Sequence, residues 1–125
     1  MYYKRFEDIP VWQEVRIFIN LIFSTIENSA KLKRDYSLCD QLRRASYSIS
    51  LNIAEGFERG SNKDFAHFVN ISKASAGETR AILYILLDNN FINQIVFDDL
   101  NSKIVKISCD LANFRKYLKS NKYNK

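Results

Sequence analysis

Residues 94–120 read QIVFDDLNSKIVKISCDLANFRKYLKS. Within them Phe97, Leu100, Ile104, Ile107, Leu111, Phe114 and Leu118 recur at alternating spacings of three and four. A helix, with about 3.6 residues per turn, brings all seven to one side of its axis. A strand would need apolar residues at every second position, and that pattern is absent. Asn93 stands just ahead of the run, where its side-chain oxygen can take up an orphan N–H of the first turn. The stretch specifies a helix over about 94–120 with a single apolar stripe, and such a stripe needs other helices to cover it.

Moving outward, the neighbouring stretch supplies one. Phe65, Phe68, Ser72, Ser75, Thr79, Ile82 and Leu86 keep nearly the same rhythm, giving a helix over about 62–88. Ser61 with Asp64 forms its capping signal, and Asn89–Asn90 breaks it. The small residues in mid-stripe allow a neighbour to approach closely. Before it, a helix over about 38–59 starts after Ser37, with Asp40 placed three residues on, and stops at Gly60. The first helix covers about 10–28, with Asp8 as its expected cap and Pro10 in its first turn. Its stripe is Val11, Val15, Phe18, Ile22 and Thr25, and the polar segment 28–36 reads as a connection.

Four helices with short connections describe one all-α domain, an antiparallel up-and-down four-helix bundle. A chain of 125 residues suits one domain with its own core. Three glycines and one proline leave too few breakers for the turns of a sandwich or barrel.

Several function classes lack their residues. No apolar run approaches the roughly 18 residues of a membrane span, the longest being Ala81–Leu87. The opening MYYKRFEDIP has no apolar signal-peptide core, so a cytoplasmic location is expected. Cys39 and Cys109 are isolated within helical patterns and read as buried thiols. His67, between two aromatic stripe positions, reads as a packing residue. There is no Glu-x-x-His pair, phosphate loop or dinucleotide fingerprint. Glu55 and Glu78 each have an arginine close in sequence, Arg59 and Arg80, which keeps a carboxylate ionised rather than readying it as an acid. No catalytic, cofactor or metal residue emerges, and a protein without enzymatic activity is expected.

More apolar residues are present than one stripe per helix consumes. Trp12, Ile17 and Ile19 lie off the first stripe, and 81–87 is apolar all round. A helix apolar on every side is covered on every side, most economically by copies of itself. Trp12, Ile19, Tyr47, Leu51, Tyr84 and Ile85 are the candidates for such an interface.

The 38–59 helix differs from the others. Leu38, Leu42, Ile49, Ile53 and Phe57 share one arc. Gln41, Arg44, Ser48, Asn52, Glu55 and Arg59 share a second, within about 80°. That polar stripe is either a solvated face held by pairs such as Glu55–Arg59 or a hydrogen-bond network between helices.

The net charge of +5 is uneven. Residues 101–125 hold seven basic side chains against Asp110 alone, while 61–100 holds three against five acidic ones. An excess of this kind suits an anionic partner such as RNA or DNA. The candidates are Lys31, Lys33 and Arg34 in the first connection, and Arg115, Lys116, Lys119 and Lys122 at the end, with Tyr117 and Tyr123 interleaved for base stacking. The plainer alternative is a solvated face that favours the negative end of the helix dipole.

Residues 41–65, QLRRASYSISLNIAEGFERGSNKDF, resemble a bacterial four-helix-bundle family named for proteins encoded in intervening sequences of 23S rRNA genes, which includes accessory-protein relatives in diversity-generating retroelements. The matching elements are Gln41-Leu42-Arg43-Arg44-Ala45, Ser48-Ile49, Asn52-Ile53-Ala54-Glu55-Gly56 and Ser61-x-Lys63-x-Phe65, with Ser75 and Glu78 beyond. Phe6-x-Asp8-Ile9-x-Val11-Trp12 resembles the family's opening. One departure is Asn90-Phe91-Ile92, where the family has a Gly-Tyr-Ile-like turn; asparagine also accepts the left-handed conformation, so the turn should survive. The resemblance implies a homopentameric barrel with a central channel and a basic surface, and it favours the network reading of the polar stripe. For the retroelement relatives it implies binding to nucleic acid and to a reverse transcriptase. The alternative expectation is a scaffold whose partners are proteins only, such as a reverse transcriptase or a ribosome-related protein.

Overall fold

The structure, a computed structural model, describes residues 3–120. A single turn of 3-10 helix over Phe6–Asp8 leads into α1 (Pro10–Glu27). Pro10 takes the first helical position, where its absent N–H costs nothing. The cap is Ile9, in extended backbone, with no side chain serving it. Asp8 does not cap α1, because it belongs to the preceding turn, 3.6 Å from Arg5.

The segment 28–36 is not a plain connection. Ser29 accepts from the Leu32 N–H at 3.1 Å and caps a short helix, α2 (Ala30–Arg34). Leu32 explains it: this residue, the only large aliphatic one in the segment, is fully buried and draws its polar neighbours into a helical turn over the end of the core. Asp35 ends α2 and also caps α3 (Tyr36–Arg59), accepting from Leu38 N–H at 3.1 Å. The Ser37–Asp40 cap is thereby displaced, and Asp40 pairs with Arg44 instead, at 3.0 Å.

The remaining boundaries follow the sequence signals. Gly60, at φ 90°, closes α3 in the left-handed region that glycine tolerates. Ser61 accepts from Asp64 N–H and starts α4 (Asn62–Asp88). Asn90 turns the chain at φ 62°, as the Gly-to-Asn departure anticipated. Asn93 accepts from Val96 N–H at 2.8 Å and starts α5 (Gln94–Lys119). The result is an all-α bundle of four long helices and one short one, with no strand among the described residues.

Around the bundle the order is α1, α3, α4, α5, and α1 rests more sparsely on α5 than on α3. Phe18, Ile22 and Ile26 of α1 meet Leu42, Ile49 and Ile53 of α3, Phe65, Leu83 and Leu86 of α4, and Ile104 and Leu111 of α5 in one core. Ile26 takes the place expected of Thr25, which is half-buried. The ends of α1, α3, α4 and α5 nearest α2 form what is called the upper end below.

At Gly56, α3 and α4 approach closely. A Cβ at Gly56 would stand 2.7 Å from Phe68 Cβ and 2.9 Å from Phe65 Cδ1. Gly56→Ala is therefore expected to destabilise by about 1–3 kcal/mol through overpacking, despite the ~1 kcal/mol that alanine gains over glycine in a helix. Gly77 has open space at the same position. Gly77→Ala should stabilise by about 0.5–1 kcal/mol through propensity alone. Urea midpoints of the two variants should move in opposite directions, and a Gly56→Ala midpoint at or above wild type would refute the close approach.

Candidate nucleic-acid interface and the polar seam

The polar arc of α3 meets α4 along one side of the bundle. In its middle, half-buried Ser48 shares a 2.9 Å hydrogen bond between its Oγ and that of Ser75. Asn52 Nδ2 donates to the Ser48 carbonyl at 2.9 Å and to its Oγ at 3.0 Å. Ser72, fully buried, donates across the helices to the Ile49 carbonyl at 2.8 Å. These hydroxyls let α4 approach closely while leaving no hydroxyl stranded, since an unmade buried hydrogen bond costs more than a made one gains. Near the upper end, Gln41 Nε2 donates to Glu78 Oε2.

Elsewhere along the stripe, the charged residues pair in solvent. Arg44 binds Asp40, and Arg59 binds Glu55 at 2.9 Å while lying over the Phe68 ring at 4.8 Å. Arg43, next to the stripe, lies 5.5 Å over the Phe23 ring of α1. The stripe thus combines both readings: Gln41 and Ser48 bond across to α4, Asn52 bonds back to Ser48 within α3, and Arg44 and Arg59 form intrahelical pairs. Glu78 is held by Gln41 rather than by Arg80, whose Nε reaches Asn101 Oδ1 on α5 at 3.2 Å.

On the opposite side, Lys106 of α5 bridges Glu14 of α1 and Asp110, each at 2.7 Å. The hydrogen bond to Asp110 raises the Lys106 pKa above its ordinary value, and the same bond lowers that of Asp110. Partial burial raises Glu14 instead. The bridge ties together two helices that otherwise meet loosely.

The candidate cations separate into two sites. Lys31, Lys33 and Arg34 belong to α2 at the upper end. Lys31 Nζ donates to the Asn89 carbonyl at 2.7 Å and sits 4.6 Å over the Phe91 ring, and Lys33 lies 3.4 Å from Glu27. Arg115, Lys116 and Lys119 lie at the other end of α5, a helix of about 39 Å by its rise. Lys116 and Lys119 are exposed, with no carboxylate in ion-pair reach among the described residues. Arg115 is half-buried, and its Nε has no hydrogen-bond partner among the described residues. Tyr117 packs in parallel against Phe114, with ring centroids 6.2 Å apart, so it serves the core. Lys122 and Tyr123 lie outside the described residues.

Of the interface candidates, Tyr47, Leu51, Tyr84 and Ile85 are exposed, Leu51 at 59%. Trp12 and Ile19 are half-buried against the chain's own core, Trp12 edge-on to Phe6. Ile17 and Ile95 are more exposed than any of these six. Cys39 is buried and donates to the Leu32 carbonyl, and burial raises its thiol pKa. Cys109 is exposed, contrary to the expectation of two buried thiols, because it lies off the α5 stripe on the solvent side. His67 is exposed and edge-on to Phe68.

The sequence matches the family model of the 23S rRNA-intervening sequence protein over residues 7–113. The chain belongs to that family. No curated protein matches it. Among solved structures it is similar to a protein of unknown function from the S23 ribosomal protein family of Bacteroides thetaiotaomicron, at 24% identity and a TM-score of 0.79. The similarity covers 85% of this chain and 98% of that one, and it establishes the shared bundle fold. The 23S rRNA-intervening sequence protein match takes in the whole polar seam and the Lys106 bridge. It stops just short of Arg115, Lys116 and Lys119.

Proposed function

We propose that this family member is a non-enzymatic, self-associating bundle that binds nucleic acid through its phosphates without reading sequence. The carrying observation is the lower end of α5, where exposed Lys116 and Lys119 face solvent with no carboxylate in ion-pair reach among the described residues. Cations placed in this way release counterions when they meet phosphates. The family name, with its 23S rRNA intervening sequence, agrees with an RNA partner. A non-enzymatic role is supported by how these carboxylates are used, Glu78 by Gln41 and Glu55 by Arg59 on the seam side, and Glu14 and Asp110 by Lys106 opposite.

Self-association is supported by two opposite sides of the bundle. Tyr47, Leu51 and Ile85 stand out from the α3/α4 side. Opposite them, the α1/α5 side carries a groove of about 690 Å³ at its upper end, lined by Leu21, Phe91, Ile95 and Val96 among others. Docking the first into the second repeats head to tail, and a head-to-tail contact closes into a ring when its rotation permits, such as the pentamer implied by the family resemblance. Leu51→Glu should then reduce the mass in light scattering toward the 14.7 kDa of one chain with helicity intact. An unchanged mass would remove Leu51 from the interface.

The test of the main reading is fluorescence anisotropy with RNA and duplex DNA at about 50 and 200 mM salt, between which a binder of several phosphates loses orders of magnitude in affinity. Strong, salt-sensitive binding is expected. No binding at low salt by an intact oligomer would overturn the reading and favour the scaffold with protein partners only.

A further inference from the structure

Lys73 and Arg80 belong to no site described so far. They flank a groove of about 410 Å³ between α4 and α5. Its floor and walls are small: Ala74, Gly77, Val105, Ser108 and Cys109 are among its residues, and no carboxylate is. At 100° per residue, Ala112, Lys116 and Lys119 continue the arc of Val105, Ser108 and Cys109 within about 100°. The same side of the bundle therefore carries Lys73, Arg80, Lys116 and Lys119, with Arg115 at its margin. From the level of Asn101, which binds Arg80, to Lys119 it runs about 27 Å by helix rise.

The carboxylates adjoining the groove residues face away, and Asp98, on the same arc one turn above Asn101, accepts from Gln94 at 2.8 Å. Glu78 accepts from Gln41 across the α3 seam, and Asp110 is held by Lys106 on the α1 side. Lys73 and Arg80 have no carboxylate in ion-pair reach among the described residues, and the Arg80 Nε donates to the neutral Asn101 amide. At the upper end of this side, the Tyr84 ring stays 44% exposed while packing 4.9 Å from Phe97, which leaves it available to stack on a base. A ring in this position can stack only on a base free of its own duplex stack, which favours a single strand.

We infer that the α4/α5 groove is the track of a single-stranded nucleic acid, with Lys73 and Arg80 contacting phosphates over the small-residue floor and Lys116 and Lys119 continuing the path. The inference rests on the nucleic-acid reading above and adds the site and the strandedness. The small floor matters because it lets phosphates come down between the two cations. The neutral walls matter because a carboxylate there would repel the strand.

Cys109 lies in the groove and is exposed, while Cys39 is buried, so thiol alkylation reports on this one place. A saturating single-stranded oligoribonucleotide should slow alkylation of Cys109 several-fold in the native oligomer. Lys73→Glu/Arg80→Glu should weaken binding of that oligonucleotide by about 100-fold at about 50 mM salt, by loss of two phosphate contacts and added repulsion. Gly77→Phe leaves the charge unchanged and, with open space at its Cβ, should leave the helicity unchanged while also weakening binding. Wild-type binding with Cys109 unprotected and both variants at full affinity would overturn the groove and leave the nucleic-acid reading standing. Equal affinity and equal protection by duplex would overturn the single-strand assignment. Absence of binding by the wild type would overturn the function proposed above, and this inference with it.

Discussion

Phe65→Ala is expected to lower the stability of the bundle by about 3–5 kcal/mol, a large share of what a domain of this size possesses. Phe65 is 1% exposed and stands where three helices meet. Its ring is edge-on to Phe57 of α3, with centroids 5.9 Å apart, and to Phe114 of α5, at 5.3 Å. Edge-to-face pairs add about 0.5–1.5 kcal/mol to the burial itself. The cavity left by alanine closes poorly, because Gly56, which faces the Phe65 ring from α3, has no side chain to move in. The cost should therefore fall in the upper part of the range for a lost phenylalanine. Phe65→Leu should recover much of it, since it restores volume but not the ring contacts. Urea unfolding at one fixed protein concentration measures both, because an oligomer's apparent stability depends on concentration. A loss under about 1 kcal/mol with an unchanged urea slope would mean that this junction is not packed as described.

How much of this could be read in the chain depended on whether a feature is periodic or pairwise. The α5 stripe from Phe97 to Leu118 repeats often enough to define its helix alone, and the caps Ser61 and Asn93 are local events within three residues. The short α2 leaves no pattern in the sequence because its only large apolar residue is Leu32. One buried leucine makes no period, and its effect appears only once the bundle end it covers exists. The same holds for Asp35, which displaced the Ser37 cap only because α2 delivers the chain to it.

The polar stripe on α3 was legible as an arc, but its partners were not. Ser48 meets Ser75, and Ser72 meets the Ile49 carbonyl, through a register between α3 and α4 that the Gly56 contact helps to set. Lys73 and Arg80 were hidden for a different reason. They lie in the segment 61–100, which is acidic by count, with three basic residues against five. They become a basic side only when Glu78 turns to Gln41 and α5 brings Lys116 and Lys119 alongside. Charge summed along a chain misses a face assembled from two helices.

Reversing Lys116 and Lys119 to glutamate is expected to weaken nucleic-acid binding by about tenfold per residue at about 50 mM salt, and more if Lys122, outside the described residues, is reversed as well. The loss should come with a shallower salt dependence. Each phosphate contact removed reduces the slope of log affinity against log salt by about 0.7 for a single strand and about 0.9 for a duplex. Two lost contacts therefore predict a reduction of roughly 1.4 or 1.8, which separates the two forms of partner independently of the groove experiment. The bundle should survive, since each acidic residue placed at the negative end of a helix costs only about 0.3–1 kcal/mol. Circular dichroism checks that point. Glutamine at both positions should lose the slope but not suffer the repulsion, and so should fall between wild type and glutamate. Reversal of Lys31, Lys33 and Arg34 supplies the spatial control. Those residues stand at the upper end of the bundle, and Lys31 is already engaged by the Asn89 carbonyl and the Phe91 ring. A single track along the lower α5 predicts little change there. Equal losses at the two ends would instead mean that affinity follows net charge alone, and the lower end of α5 would cease to be a site.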